Sequence, residues 1–267
     1  MKIVCIVQAR ISSSRLPAKI LLPGYNKPLL LHLIERLKKS SFINNIIVAT
    51  SKNPLDDLIY DLCNLKKIKV YRGSLNNLLN RYYHCAKKHN ADHIVRITSD
   101  CPLIDSKIID SMIKKYLSLK NIDFLSNTHP PSYPDGFDVE IFSFQALQKA
   151  FRSAKKNYER EHVTPFMWDN PKKFKIFNYT NLKNNKLYKK YRLTLDYKED
   201  FFVIWSIFNN LYKNKKYFEL KDIINFLKKR PKILKNNHLI KVNWYKDHYN
   251  QLKTINKNDV KILKKNV

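Results

Sequence analysis

The chain has 267 residues, 44% of them hydrophobic, enough for one large α/β domain with at most a small appendage. It carries 51 Lys and Arg against 22 Asp and Glu, a net charge of +29. No apolar run is long enough to span a bilayer, and the opening MKIVCIVQAR lacks the apolar core and cleavage site of a secretory signal. Cys5, Cys63, Cys85 and Cys101 form no CxxC pair, so free thiols in the cytoplasm are expected. The positive charge taken alone suggests an anionic partner such as nucleic acid, a membrane surface or phosphates. It is spread, mostly as Lys, through the whole chain together with Asn, Ile and Tyr. Its densest runs, 186–190 and 213–216, fall between predicted elements. No nucleic-acid motif accompanies them, so a nucleic-acid role is not favoured.

In chain order, short apolar segments at 3–7, 46–49, 69–71 and 93–97 read as buried strands. Between them, 29–37, 55–65 and 75–86 carry apolar residues at helical spacing, with Ser74 placed to cap the third. Asp105 is placed to cap the next helix, 108–117. This alternation predicts a doubly wound, mainly parallel sheet, whose ligands gather at the carboxyl ends of the strands. Pro130, Pro131, Pro134 and Gly136 mark a loop, followed by a strand at 137–142 and a helix at 144–151. Residues 157–168 read as helical, 174–179 and 191–195 as extended, and 201–211 and 220–227 as helices before a Lys/Asn-rich tail. No repeat is seen, and no linker cuts the chain into independent domains.

The only glycines are Gly24, Gly73 and Gly136, which excludes both a Walker A loop and a GxGxxG fingerprint. Phosphates would have to be held otherwise. The loop after the first strand, QARISSSRLPAK at 8–19, offers a means: Arg10, Arg15 and Lys19 stand in a hydroxyl-rich segment. Arg forks and Lys point charges suit phosphate oxygens, and loop N–H groups add donors. An ordinary polar loop is the other reading. After the fourth strand, RITSDCPLID at 96–105 presents Asp100, suited to Mg²⁺ or simply to a turn before Pro102. RLTLDYKED at 192–200 presents Asp196, either a second carboxylate of that kind or the cap of the helix that follows.

Together these segments resemble the cytidylyltransferases that make CMP-activated 3-deoxy-octulosonate and sialic acids, above all the branch named after a spore-coat polysaccharide biosynthesis protein. Shared with that branch are Arg72-Gly73 with Leu79-Asn80-Arg81-Tyr82, the DGFDVE of 135–140, and the REHVTPF of 160–166. Asn80 stands where the branch carries an acid. The resemblance covers residues 2 to about 205 and continues more weakly beyond. It implies a Rossmann-like nucleotide-diphospho-sugar transferase α/β fold, with a mainly parallel mixed sheet flanked by helices. The nucleotidyltransferase domain would span 1–205, and a helical extension over 206–267 would pack on it.

By the same resemblance, Arg10, Arg15 and Lys19 would grip the phosphates of CTP, and Asp100 and Asp196 would hold Mg²⁺. Gln8, Ala9, Ser14, Gly73, Arg81 and Ser99 would lie about the nucleotide. Asp135, Asp138, Glu140, Glu161 and His162 would face or support the acceptor pocket. The partners implied are CTP and a small anionic acceptor, with no membrane insertion; a homodimer stays open. The reaction implied is attack by an acceptor oxygen on the α-phosphorus with loss of pyrophosphate, for surface polysaccharide or glycan biosynthesis. Catalysis would rest on positioning and charge neutralisation. Three readings compete. A sugar-phosphate nucleotidyltransferase would use another NTP, and a basic nucleic-acid binder is supported by charge alone. A glycosyltransferase of similar fold is disfavoured because no Asp-x-Asp follows the fourth strand.

Overall fold

The structure, a computed structural model, describes residues 1–181 and 186–240; the polar tail expected after them lies outside the described residues. In chain order the elements are β1 (Ile3–Gln8), α1 (Leu29–Leu37), β2 (Asn45–Ser51), α2 (Asp57–Leu65), β3 (Lys69–Gly73), α3 (Leu78–Lys88), β4 (His93–Thr98) and α4 (Ser106–Ser118). There follow β5 (Phe124–Ser126), β6 (Glu140–Ser143), α5 (Phe144–Ser153), α6 (Asn157–His162), α7 (Pro165–Trp168), β7 (Ile176–Asn178), α8 (Leu187–Lys190), α9 (Lys198–Leu211) and α10 (Leu220–Lys229). The seven strands form one sheet in the order β3-β2-β1-β4-β6-β5-β7, and only β6 runs antiparallel to its neighbours. No helix of the described residues is long and apolar enough to cross a membrane.

Strand pleating divides the core in two. Ile3, Cys5 and Val7 of β1 pack with α1, α4, α9 and α10 on one face. Val4 and Ile6 pack with α3 and α5 on the other. This is why β1 reads as a continuous apolar run: both of its faces are covered. The cysteines are all buried and free. Helix starts follow local hydrogen bonding. Asp105 accepts from Lys107 N at 2.9 Å, as its position predicts, and Ser143 Oγ accepts from Ala146 N at 3.0 Å.

Several expected elements are redrawn. The helix expected from Leu75 starts at Leu78, because Asn77 is its cap (Oδ1 to Asn80 N, 2.9 Å), while Ser74 Oγ accepts from Asn77 N. The single helix expected over 157–168 is broken by Val163, whose φ is 71°, with Pro165 opening α7. The strand expected from Phe137 pairs only from Glu140. Before that, the Asn127 amide bonds Phe137 O and Val139 N and takes the place of a strand partner. The basic run expected as loop at 186–190 contains the one-turn α8. Residues 191–195 are extended but lie outside the sheet, crossing the carboxyl ends of its strands. There Leu193 N bonds Asp135 O at 2.8 Å, and Leu195 N bonds Asp100 O at 2.9 Å.

The C-terminal helices share the main core. A division at 205/206 would cut through α9, whose Val203, Ile204, Ile207 and Phe208 pack in the same cluster as β1. Buried Arg36 donates to the carbonyls of Leu103, Ile104 and Phe218, and Asp105 also accepts from Tyr217 OH and Leu220 N. Both side chains tie α10 and its approach to the α4 end of the sheet.

Two positions should show how backbone geometry holds the cleft together. Gly136 has φ +99°, and a Cβ there would sit 2.4 Å from the Leu193 carbonyl and 2.6 Å from Thr194 N. Gly136→Ala forces either left-handed strain or separation of the two segments, so it should cost at least about 1–3 kcal/mol. At roughly 2–4 °C per kcal/mol for a chain of this size, a melting curve should register it; an unchanged Tm would show that the two segments do not approach this closely. Asp56 is 1% exposed and accepts from Ile11 N at 2.7 Å, from Ser51 N at 3.2 Å, and from Ser51 Oγ. Asp56→Ala strands buried donors and frees the loop after β1. It should lose about 1–3 kcal/mol of stability in denaturant titration, together with faster amide exchange at Ile11. Unaltered exchange would mean that the loop is held elsewhere.

Candidate active site

A cavity of about 820 Å³ opens at the carboxyl ends of β1 and β4, where a sheet of this topology places ligands. Gln8, Ala9, Arg10, Ser14, Arg15, Lys19, Arg81, Ser99, Asp100, Asp135, Asp138, Glu140, Glu161, His162 and Asp196 all line it; Gly73 does not. The loop after β1 leaves the sheet through buried Ala9 and is tied back by Ile11 N to Asp56. It closes on itself through Ala18 N to Ile11 O at 3.0 Å, then turns into a short 3₁₀ segment whose first residue is Lys19. Arg10, Ser14 and Arg15 stand exposed on the loop, whereas Lys19 is buried at its base.

Lys19 Nζ lies 2.8 Å from Asp196 Oδ1 and 3.4 Å from Asp100 Oδ2. Arg15 Nη2 also lies 2.8 Å from Asp196 Oδ1. The two aspartates are thus brought together, and Asp196 is no cap. The first turn of α9 is closed instead by Asp200, which accepts from Asp196 N and Tyr197 N at 3.0 Å. Burial opposes the Lys19 charge, but the two carboxylates outweigh it and raise its pKa. Burial likewise opposes the Asp100 charge, yet Lys19 and hydrogen bonds from Thr98 and Cys101 hold its carboxyl below the usual range. Among the described residues no group of three or more His, Cys, Asp or Glu is arranged to hold a metal. A divalent cation at this pair therefore has two carboxylates, with the ammonium nitrogen as its stand-in between them. That donor set fits a hard cation that completes its shell with phosphate oxygens and water.

Arg192, not singled out from sequence, organises the opposite wall. Its guanidinium forks onto Asp200 (3.0 Å to each oxygen) and also reaches Asp135 Oδ2 at 2.7 Å and Asp196 Oδ2 at 3.3 Å. Asp200 is fully buried and takes a further bond from Asn237 Nδ2. Asp135 is 46% exposed to the cleft. Dehydration deep between the walls, with Asp100, Asp196 and Asp200 nearby, nevertheless outweighs Arg192 and pushes its carboxyl up to about 6. Asp138, half-buried between fully buried Phe137 and Val139, is raised well above the carboxylate range by burial and then by Asp135, Asp100 and Glu140.

Other expected residues also make contacts that support the cavity wall. Arg81 is 2% exposed, and its guanidinium is occupied by the carbonyls of Ala49, Ser74 and Leu75. It therefore shapes the 74–76 loop at the wall of the cavity that it also lines. Gly73 makes room for it: a Cβ there would meet Arg81 Cγ at 2.7 Å. Glu140 is paired with Arg96 and accepts from Thr164 Oγ1 at 2.9 Å, while Arg96 Nε reaches Gln8 Oε1 at 3.1 Å. Glu161 is exposed at the rim, with His162 half-buried beside it. The lining also includes His129 and Trp168, with rings 4.1 Å apart, and Tyr133 and Tyr188. The only sequence signal for these was the density of aromatic residues.

A family model described as "Cytidylyltransferase" matches residues 4–240. An uncharacterized protein of Methanocaldococcus jannaschii is 38% identical over 252 residues, covering 92% of this chain and 99% of that one. The spore coat polysaccharide biosynthesis protein SpsF of Bacillus subtilis is 29% identical over 211 residues, covering 77% and 86%. Among solved structures, a cytidylyltransferase from Leptospira borgpetersenii superposes with a TM-score of 0.83 at 39% identity, covering 91% of this chain and 99% of that one. The sheet order, the cleft at its carboxyl edge and these matches agree: the chain has the Rossmann-like α/β fold of nucleotidyltransferases, belongs to the cytidylyltransferase family and is an enzyme that uses CTP.

Proposed function

We propose that this enzyme transfers CMP from CTP to a small sugar acid, releasing pyrophosphate, with Asp100 and Asp196 holding Mg²⁺, as a cytoplasmic step in surface polysaccharide or glycan synthesis. The observation that carries the reading is the Lys19 ammonium shared by the two aspartates at the base of a cationic loop. The likeness to SpsF supports the polysaccharide setting. The four buried free thiols suit a reducing compartment.

Arg10 and Arg15, exposed over the cleft, supply donors for the β- and γ-phosphates, and Lys19 reaches the charge that builds up as pyrophosphate departs. When bound, Mg²⁺ neutralises charge between the α-phosphate and the leaving group. The acceptor side holds its substrate between Asp135, Asp138 and the His129–Trp168 wall. An acid acceptor meeting several carboxylates raises the question of repulsion. Lys189 and Lys190, exposed along the same cavity, supply positive charge against it, and Asp138, whose carboxyl is raised by burial, donates a hydrogen bond to an acceptor oxygen when protonated. Arg192 cannot serve as the free cation there, because its donors are already divided among three aspartates.

CTP with Mg²⁺ should raise the melting temperature more than ATP, GTP or UTP. A ligand at a hundredfold its Kd adds about 2.7 kcal/mol, and equal shifts for all four would remove the preference for cytidine. Arg15→Ala should lower kcat roughly 10²-fold with Tm unchanged, since it removes a donor to phosphate charge from an exposed position. A matching loss of Tm without nucleotide would make Arg15 structural. Asp138→Asn keeps a donor and should leave the acceptor KM within a few-fold. Asp138→Ala should raise that KM by about tenfold, the value of one hydrogen bond of about 1.4 kcal/mol. Equal effects of the two substitutions would rule out a donating role.

A further inference from the structure

In this structure Asp100 and Asp196 are not an open cation site. Asp196 Oδ1 is shared by Lys19 and Arg15 at 2.8 Å each, and its Oδ2 faces Arg192 at 3.3 Å. Asp100 Oδ2 faces Lys19 at 3.4 Å. Two negative charges are thus offset by Lys19 and Arg15. The Arg192 charge is already offset by fully buried Asp200 on the same guanidinium. A divalent cation entering the pair meets an ammonium at the very place it would occupy. Like charges at contact distance in a partly dehydrated cleft repel strongly. Nor does the protein compensate with a third ligand, as no group of three or more candidate ligands exists among the described residues.

We infer that Lys19, assisted by Arg15, makes metal binding conditional on nucleotide: the free enzyme excludes the divalent cation, and a bound triphosphate admits it. The inference rests on the nucleotide reading above and adds to it an order of events. A triphosphate is a stronger anion than the two carboxylates, and both cations can follow it. Arg15 is 43% exposed, and Lys19 reaches the pair from a 3₁₀ turn on a four-carbon stem. As they turn to the phosphates, Asp100 and Asp196 lose their counter-ions together. The phosphate oxygens then provide the ligands that the protein lacks. Because binding free energies are reciprocal, the metal must tighten nucleotide binding by the factor by which nucleotide tightens metal binding. Arg10, exposed on the loop after β1 and with no carboxylate partner among the described residues, is a cation available for first contact with the triphosphate.

The test is direct binding of Mn²⁺, followed through the spectrum of the free ion, to wild type, Lys19→Ala and Lys19→Gln without nucleotide. Wild type should bind weakly, and both variants at least about tenfold more tightly, within the range usual for coupled sites. Adding Asp196→Asn to Lys19→Ala should abolish the gain. A gain of affinity on removing a side chain is not what misfolding produces, and the two substitutions guard against one failing to fold. Wild type that binds Mn²⁺ as tightly as the variants, or variants without gain, overturns the inference. The nucleotide reading is tested separately by CTP stabilisation of wild type without metal. If that stabilisation is absent while the Lys19 variants still gain Mn²⁺, the triphosphate is the wrong trigger and the conditional mechanism is overturned with it; Lys19 then remains only a resident counter-ion.

Discussion

The arrangement of the cleft depends on one guanidinium. Arg192 bonds three aspartates from two parts of the chain: Asp135 in the loop before β6, and Asp196 and Asp200 at the start of α9. None of these contacts is worth much alone at a wet surface. Here one partner is fully buried and the fork is bidentate, a setting in which losing one member leaves a charge that water cannot reach. The contacts also fix the direction of the chain. Residues 191–195 must pass between Asp135 and Asp100, and their backbone bonds to both hold them there. Asp196 is carried to Lys19 as a result. The paired aspartates are therefore a product of tertiary geometry: the segment bearing the second one belongs to no strand of the sheet.

That explains which parts of the site were legible in the sequence. The central strands read as short apolar segments because both of their faces are covered, the helices between them show the 3.6 period, and the loops after β1 and β4 follow from topology. Arg10, Arg15, Lys19 and Asp100 could be placed at the carboxyl edge on that ground alone. Asp196 was legible as a carboxylate past an extended segment, but because that segment is no strand, sheet topology does not account for its meeting with Asp100. Asp200 was hidden by its ordinary appearance, as an acid in the first turn of a helix reads as a cap. It is a cap, and at the same time the buried counter-charge of Arg192. Asp56 was hidden for a similar reason: its role depends on a bond to Ile11, 45 positions away, and no local spacing encodes that. Arg81 illustrates the opposite case. A basic residue in a family motif suggests a ligand contact; its three bonds to backbone carbonyls, which hold the 74–76 loop, could not be read from the motif.

The sum of +29 has little to do with the charge at the site. Around Lys19 and Arg192 the charges alternate: Arg15, Lys19 and Arg192 are matched by Asp100, Asp135, Asp196 and Asp200. Arg10, Lys189 and Lys190 add exposed positive charge along the cleft, and much of the remaining excess lies on exposed lysines, where salt screens it within about 8–10 Å. Such a field draws anions toward the protein, CTP and an acid acceptor included, without choosing among them. Choice is left to the cleft. At its nucleotide side exposed arginines meet phosphate; at its acceptor side carboxyls with elevated pKa stand beside aromatic rings.

The C-terminal extension belongs to this same electrostatic structure. Asn237, 1% exposed, gives its amide N–H to Asp200, the group that holds Arg192. On the far side of the core Arg36 bonds carbonyls at both Leu103–Ile104 and Phe218, and Asp105 bonds Tyr217 and Leu220. The extension is therefore fastened at two places, one at the start of α4 and one beneath the cleft. A helix pair fastened only by apolar contacts could slide by a fraction of a turn at little cost; one that also satisfies buried charges cannot, because each such bond loses its partner when the register shifts. Asn237 thus connects the packing of the last described residues to the orientation of Asp196 through only two side chains, Asp200 and Arg192.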